Sequence, residues 1–586
     1  MKNCIDKIAE LQLWLKNNGF GGCIIPNADP HQSEYVEDYY KLRGYFSGFT
    51  GSAGTLVVTC CKAALFTDSR YHIQAALQLE GSGIELFKSG LPDVPLYYEW
   101  LQGEVGDAPV AANAYLFSID DWEMLANKLK IQNNSGFESL WEHRPALCDS
   151  KIYIHAEQYS GESVKSKLER VRQILRDNGA ELCIVSNLDD IAWLLNIRGA
   201  DVAYNPVVRS YVIVTEADCV IFTDYSKISQ SVGEYFASNG ILVKPYNSIA
   251  DYLTNCTGRS VLFDRGSLNY SIYEKVKNCR RLVNLPLYIS RLRAVKNSVE
   301  IDGYRNAMEK DGVVWVRFLQ WFYGCLEGGL TITELDVMSK IRELKEAQDE
   351  FVDESFGTIA GYAEHGAIGH YAATADSNYT IERRSFLVID TGTHYLNGTT
   401  DTTRTLSCGE LTDDERRDYT LVLKGHIALG AAVFPKGTKG SQLDILARQH
   451  LWQHGFNYGH GTGHGVGHLL NVHEGYAWLR PRENGIGYEP GLTMTDEPGI
   501  YREGKYGIRI ENTVLVAPHS KTEFGEFLKF EHLTLAPYCL EAINTDMLTQ
   551  DEKNFINQYN RHLRDRLKKR LNADENLFLE RLTYEI

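Results

Sequence analysis

The chain is predicted to be an α/β and α+β protein of three domains, in which two related α/β domains precede a larger mixed one. Its 586 residues are too many for one hydrophobic core and fit three or four domains of about 150 residues each. A thirteen-residue stretch, Leu15 to Asn27, recurs in register 160 positions later as Leu175 to Asn187. From Ser298 onward the pattern changes to long helical stretches alternating with short apolar runs that end on acids.

In the first copy, Leu15-Lys16-Asn17-Asn18-Gly19 reads as the end of an amphipathic helix with a glycine cap, and Gly22-Cys23-Ile24-Ile25 as a buried strand. Leu175-Arg176-Asp177-Asn178-Gly179 and Leu182-Cys183-Ile184-Val185 repeat that order, and Phe66-Thr67-Asp68 returns as Phe222-Thr223-Asp224. Thirteen positions in register point to a duplicated domain. Polar stretches near 153–162 and 290–297 place the domains at 1–157, 158–294 and 295–586. Beyond the second boundary, helical spacing is expected from Ser298 through Tyr323, over 440–454, and in the tail from Asp551 to Leu571. The tail carries Arg561, Arg564, Arg566, Lys568, Lys569 and Arg570. With a net charge of −17, which opposes phosphate backbones, these read as a solvated helix face, and no nucleic-acid partner is expected. No apolar run approaches the ~18 residues of a membrane span, and the first ten residues carry charges where a signal peptide needs its apolar core. Twelve cysteines without a Cys-x-x-Cys pair fit reduced thiols in a cytoplasmic protein.

Five potential metal ligands in the last third concentrate the chemistry: Asp390, Asp401, His464, Glu497 and Glu511. Asp390 ends the apolar run Phe386-Leu387-Val388-Ile389, a buried strand that delivers a carboxylate at its exit. A turn at Asn397-Gly398 sends the chain back through Asp401-Thr402-Thr403-Arg404-Thr405. A strict two-residue turn there sets Asp390 opposite Thr405, so a meeting of Asp390 with Asp401 calls for a longer loop or a bulge. Folding about Gly504 puts Glu497 level with Glu511 on antiparallel strands. Directly opposed residues have Cβ atoms ~4.5–5.5 Å apart, so the two charges repel unless a cation lies between them. Between the pairs runs Gly459-His460-Gly461-Thr462-Gly463-His464-Gly465-Val466-Gly467-His468, whose glycines permit close backbone approach, followed by His473-Glu474.

Each piece alone has a plain structural reading. Asp390 or Asp401 by itself is a turn residue, and His468 and Glu474 read as satisfied structural groups. The glycine run has neither the spacing nor the lysine of a phosphate loop, and Ala477 stands where a zincin motif needs its second histidine. The joint pattern is what points to function. Four carboxylates with one or two imidazoles make an oxygen-rich site suited to Mn²⁺, Co²⁺ or Mg²⁺ rather than a structural zinc. Two divalent ions fit the ligand count. A dinuclear site lowers the pKa of a bridging water and polarises the carbonyl it attacks, which makes hydrolysis the expected reaction class.

These residues resemble the M24 metallopeptidases of pita-bread fold. Val388 to Gly392, Asp401 to Thr405, Gly461 to Gly467, Asn471 to Glu474, Asp496 to Gly499 and Phe530 to Pro537 are similar to the three-domain, cytosolic Xaa-Pro aminopeptidases within that family. The resemblance implies two creatinase-like domains before a pita-bread catalytic domain with a curved antiparallel sheet covered by helices. It implies that Asp401 and Glu511 bridge two metals, most often Mn²⁺ with Co²⁺ or Zn²⁺ possible, that Asp390 completes one and that His464 with Glu497 completes the other. Glu497 would also shuttle the proton, His370 would sit by the scissile carbonyl and His473 would stabilise the tetrahedral intermediate. His460 would wall the proline pocket, and Arg70 would reach the substrate from the first domain, although an exposed arginine at a strand end is its plain reading. Removal of the first residue from peptides with proline second, by a homodimer, is the expected activity. A prolidase or methionine aminopeptidase is the runner-up within the enzyme class, and a pita-bread binding module that has lost catalysis is the alternative outside it.

Overall fold

The computed structural model describes residues 2–586, which divide into two compact units: one holds the described residues up to 157 with 162–289, the other 158–161 with 290–586. Within the first unit the duplication is visible strand for strand. The first sheet runs β4 (Glu85–Lys88), β3 (Ala63–Thr67), β2 (Thr55–Thr59), β1 (Gly22–Ile25), β5 (Val110–Ala112), β6 (Ile131–Asn133). The second runs β10 (Ile241–Pro245), β9 (Cys219–Thr223), β8 (Tyr211–Thr215), β7 (Leu182–Val185), β11 (Ser260–Phe263), β12 (Arg281–Asn284). Both have the same order and the same sense at each junction, antiparallel around the second strand and parallel towards both edges. The repeated segment supplies the helices Cys4–Asn17 and Val164–Asn178, and the second is capped by Gly179 at φ +59°. Each helix precedes a wholly buried strand in the centre of its sheet.

The long helix of the second unit, Ser298–Glu327, is capped by Asn297 in a capping box with Glu300 and runs one turn past Tyr323, the expected end of that stretch. Two sheets position the site. One is three-stranded, β13 (Ile359–Tyr362), β14 (Phe386–Thr391), β15 (Thr402–Ser407). The other has six strands in the order β16 (Val433–Pro435), β21 (Gly525–His532), β20 (Asn512–Thr522), β19 (Thr493–Asp496), β17 (Gly463–Gly465), β18 (Glu474–Leu479). A hairpin, Gly499–Arg502 with Tyr506–Arg509, turns at Gly504, whose φ is +72°. The helices Asp413–Gly430, Gly440–Trp452 and Gln550–Leu567 bury apolar faces in the unit's main core, with Leu421, Leu423, Leu451, Ile556 and Leu563 inaccessible.

Two expectations change. The tail is two helices, Gln550–Leu567 and Ala573–Leu582, because Asn572 caps a second one with Glu575. Its basic side chains are drawn to acids: Arg566 and Arg570 both meet Glu309, and Arg561 meets Glu585. The hairpin turn lies one residue earlier than Asn397-Gly398. Tyr395 pairs with Gly398, so Leu396 and Asn397 form the turn and Asp390 pairs with Thr403 instead of Thr405. Tertiary packing sets this choice: a Cβ at Gly303 would come 2.2 Å from the Asn397 carbonyl, and Asn397 donates to Asn306 Oδ1 at 2.9 Å.

Candidate metal centre

The corrected register brings the first two acids together without a bulge. Asp390 faces Thr403 across the ladder, and Asp401 lies two residues back on the same face, the diagonal position that long side chains reach. The second pair falls as the sequence predicts. Asp496 pairs with Asn512 and Gly499 with Arg509, so Glu497 stands level with Glu511. Asp496 points to the opposite face, where it is buried 3.1 Å from His426 Nδ1. His464 is delivered by β17, which lies so close to β19 that a Cβ on Gly463 would sit 1.9 Å from the Thr495 carbonyl. That approach explains why glycine alternates through this segment.

Asp401, His464 and Glu511 are all buried, each offering a ligand atom within 4.8 Å of the others. His464 Nε2 lies 3.4 Å from Asp401 Oδ2 and 3.5 Å from Glu497 Oε1. Its Nδ1 is 2.8 Å from the Gly465 carbonyl, which can only accept, so the proton of the neutral ring sits there and the Nε2 lone pair faces two carboxylates. Lone pair against carboxylate is repulsive unless a cation lies between them. Asp390 Oδ1 is buried with no hydrogen-bond partner. Burial, then the neighbouring carboxylates, push Asp401 and Glu511 well above the usual carboxylate range. Burial likewise raises Glu497 to about 7, against the pull of Arg509. An oxygen-rich donor set, inward-facing lone pairs and an orphaned buried oxygen all fit divalent cations.

One arginine is the local counter-charge, and sequence reasoning gave it no role. Arg509 Nη2 donates to Asp390 Oδ2 at 2.6 Å, Nε to Thr403 Oγ1 at 3.1 Å and Nη1 to the Tyr501 hydroxyl at 2.8 Å. Tyr501 lies 2.8 Å from His460 Nε2, while His460 Nδ1 is 2.7 Å from the Gly461 carbonyl, so Tyr501 donates to the ring and the relay ends on the backbone. Thr403 donates to Glu511 Oε2 at 2.7 Å and Thr495 to Glu497 Oε1 at 3.3 Å. Arg509, Thr403 and Thr495 each sit two residues from a ligand along the chain. Period-2 alternation around each acid was the signal that could have found them.

His473 packs edge-on against His464 with ring centroids 4.4 Å apart, next to the metal ligands. His370 is half-buried in the loop after the turn Ala363–Ala367, and the carbonyl of its neighbour Gly369 lies 3.4 Å from Arg509 Nη1. His468 is buried against Tyr304, and Glu474 is ion-paired with Lys296. Arg70 belongs to the other unit, where its guanidinium donates to both oxygens of Asp68, at 2.9 and 2.7 Å, and lies 3.8 Å from Glu34.

The chain matches the model of the creatinase/prolidase N-terminal domain over residues 7–142 and a second such model over 143–300. Residues 302–518 match metallopeptidase family M24, and 526–586 match its C-terminal region. A probable Xaa-Pro aminopeptidase P of Neurospora crassa is 38% identical, covering 98% of this chain and 87% of that protein. One of Fusarium vanettenii is also 38% identical, over 97% and 96%. The solved structure of an X-prolyl aminopeptidase from Caenorhabditis elegans, described as a cytosolic enzyme with a di-nuclear active site, covers 100% of both chains at TM-score 0.95 and 31% identity.

Proposed function

This chain belongs to metallopeptidase family M24, in its Xaa-Pro aminopeptidase branch, and we propose that it releases the first residue of peptides whose second residue is proline. The observation that carries the reading is the buried group of Asp401, His464 and Glu511 beside Glu497 and Asp390, joined to full-length similarity to enzymes of that activity. Asp401 and Glu511 would be shared between two ions, Asp390 would complete one shell, and His464 with Glu497 the other. Manganese suits the oxygen-rich donors best, with cobalt or zinc able to replace it. When bound, the ions acidify a water and polarise the scissile carbonyl.

The side chains do the rest. Glu497 would serve as the shuttle to the leaving imino nitrogen, since its carboxyl lies among the ligands, 3.5 Å from His464 Nε2. His473 and His370 would donate to the oxygen that gains charge during attack, a contribution typically worth ~2.7–4 kcal/mol per donor. A proline amide has no N–H, so recognition must come from shape. His460, oriented by Tyr501, would supply one wall of that pocket. Arg70, which the resemblance implies as a substrate-binding residue, is paired with Asp68. The three-domain division at 157/158 and 294/295, a homodimer and a cytoplasmic location complete the reading. The resemblance supports the first two, and the third is supported by the cytosolic relative and by twelve free thiols. Among the described residues, no helix is long and apolar enough to cross a membrane.

Hydrolysis of Arg-Pro-Pro, with Arg-Ala-Ala as control, tests the proposal in metal-stripped protein refilled with Mn²⁺. Free arginine from the proline peptide alone is the expected result. Cleavage of Arg-Pro dipeptide but not of the tripeptide would make it a prolidase instead.

A further inference from the structure

We propose that the buried ion pair between Lys296 and Glu474 is a positioning device for His473, setting the imidazole against the reacting carbonyl. The inference rests on the role of His473 given above. The ladder beside the metal ligands is broken at the place where His473 enters. Gly463 pairs with Leu479 and His464 with Trp478, but Gly465 pairs with Glu474, so Gly475, Tyr476 and Ala477 are extra residues on one strand. The strand that carries them, β18, is the edge of its sheet and has no second neighbour to restore the register. Slips of this kind re-aim side chains near active sites and leave local position to other contacts.

Glu474 supplies such contacts. Its side chain is 2% exposed, and Oε2 accepts from Lys296 Nζ at 2.7 Å, while Oε1 makes no hydrogen bond and lies 3.5 Å from Arg293 Nη1. Lys296, with no exposed side-chain surface, is fixed in turn. Its backbone N–H donates to the Gly491 carbonyl at 2.9 Å, Val295 bridges Leu492, and its ammonium also donates to the carbonyls of Arg293 and Ala294. Gly491 and Leu492 lead directly into β19, which ends at Asp496, one residue before Glu497. The ion pair therefore ties the segment carrying His473 to the backbone that carries a metal ligand. A buried pair of this kind gives little net stability against an apolar substitute, so a role in setting geometry is the better account of why the charges are there.

The test is steady-state kinetics on Arg-Pro-Pro for Glu474→Gln, Lys296→Met and His473→Ala, singly and as Glu474→Gln with His473→Ala. Each protein is checked for metal content and for its unfolding midpoint. Glu474→Gln keeps the shape of the side chain and decides the matter alone if Lys296→Met does not fold. Losing an orienting partner typically costs 10–100-fold in activity. The expected result is a kcat lowered by about that factor at equal metal content, with KM within about twofold, and less than about threefold further loss when Glu474→Gln is added to His473→Ala. A loss that multiplies in full onto His473→Ala, or a lowered midpoint with kcat unmoved, would overturn the inference. If His473→Ala itself leaves kcat intact, the role given to His473 falls and the inference with it, and that outcome is read from the single variant.

Discussion

In the duplicated front half, Lys227 and Asp201 are wholly buried 2.6 Å apart, and Arg209 meets Glu37 at 2.9 Å and also Asp224. Every charge there has company: Asp201 accepts from Ser150 and from the Arg209 N–H as well, and Lys227 donates to the Cys148 carbonyl at 2.7 Å. In the last third, Asp390, Asp401, Glu497 and Glu511 share one guanidinium, that of Arg509, and a histidine turns its lone pair on two of them. Burial is similar in both regions, yet one is neutralised by its own side chains and the other is left negative. Charges that a protein satisfies internally hold structure, whereas charges it leaves unbalanced mark the place of an absent cation.

Substitutions sharpen that contrast. The largest effect belongs to Glu497→Gln and Asp401→Asn, which should lower hydrolysis of Arg-Pro-Pro by more than about 10³-fold, since each removes a ligand and Glu497 also handles the proton. Stability should run the other way. Lys227→Met leaves Asp201 buried and unpaired and should cost about 3–5 kcal/mol in denaturant unfolding. Asp401→Asn relieves like-charge repulsion and should raise the midpoint of the metal-free protein. A loss of stability from Asp401→Asn equal to that from Lys227→Met would erase the distinction between the regions.

Acidity gives a third, smaller difference. Glu497 is raised from the ordinary value of 4.5 to about 7 in the folded chain. Through this group the metal-free fold binds more protons than the unfolded chain between those values, so stability should fall as pH rises from 4.5 through 7, and the raised Asp401 and Glu511 act in the same direction. Metal uptake has the opposite slope, because the carboxyl must lose its proton to ligate. Thermal unfolding across that window, with and without Mn²⁺, would show the two curves diverging. Smaller still is Arg509→Lys, expected to weaken metal binding or activity about 10–100-fold by loosening Asp390. Tyr501→Phe, which removes one hydroxyl from the relay to His460, should cost ~1 kcal/mol.

Much of this was legible in the chain because the signals were local or repeated. The duplication lay in thirteen matched residues, and the level placement of Glu497 with Glu511 followed from one glycine turn. The turn at Leu396-Asn397 was not legible, since its position is set by packing of Asn397 on Gly303 and Asn306 almost a hundred residues earlier. Arg509 stands two residues before Glu511, but nothing short of the fold says that it reaches Asp390 on another hairpin. Lys296 and Glu474 stand 178 residues apart. Pairings at such separation leave no periodicity to read.

The most direct measurement is an equilibrium titration of metal-stripped protein with Mn²⁺, followed by calorimetry and by the unfolding midpoint, with Asp390→Asn alongside. Two ions per chain are expected, with a midpoint that rises with metal concentration. Asp390→Asn is expected to lose one ion while keeping the other. Binding of fewer than two ions to the unaltered chain, or binding that leaves the midpoint where it was, would contradict the claim that these four carboxylates are built around a pair of cations.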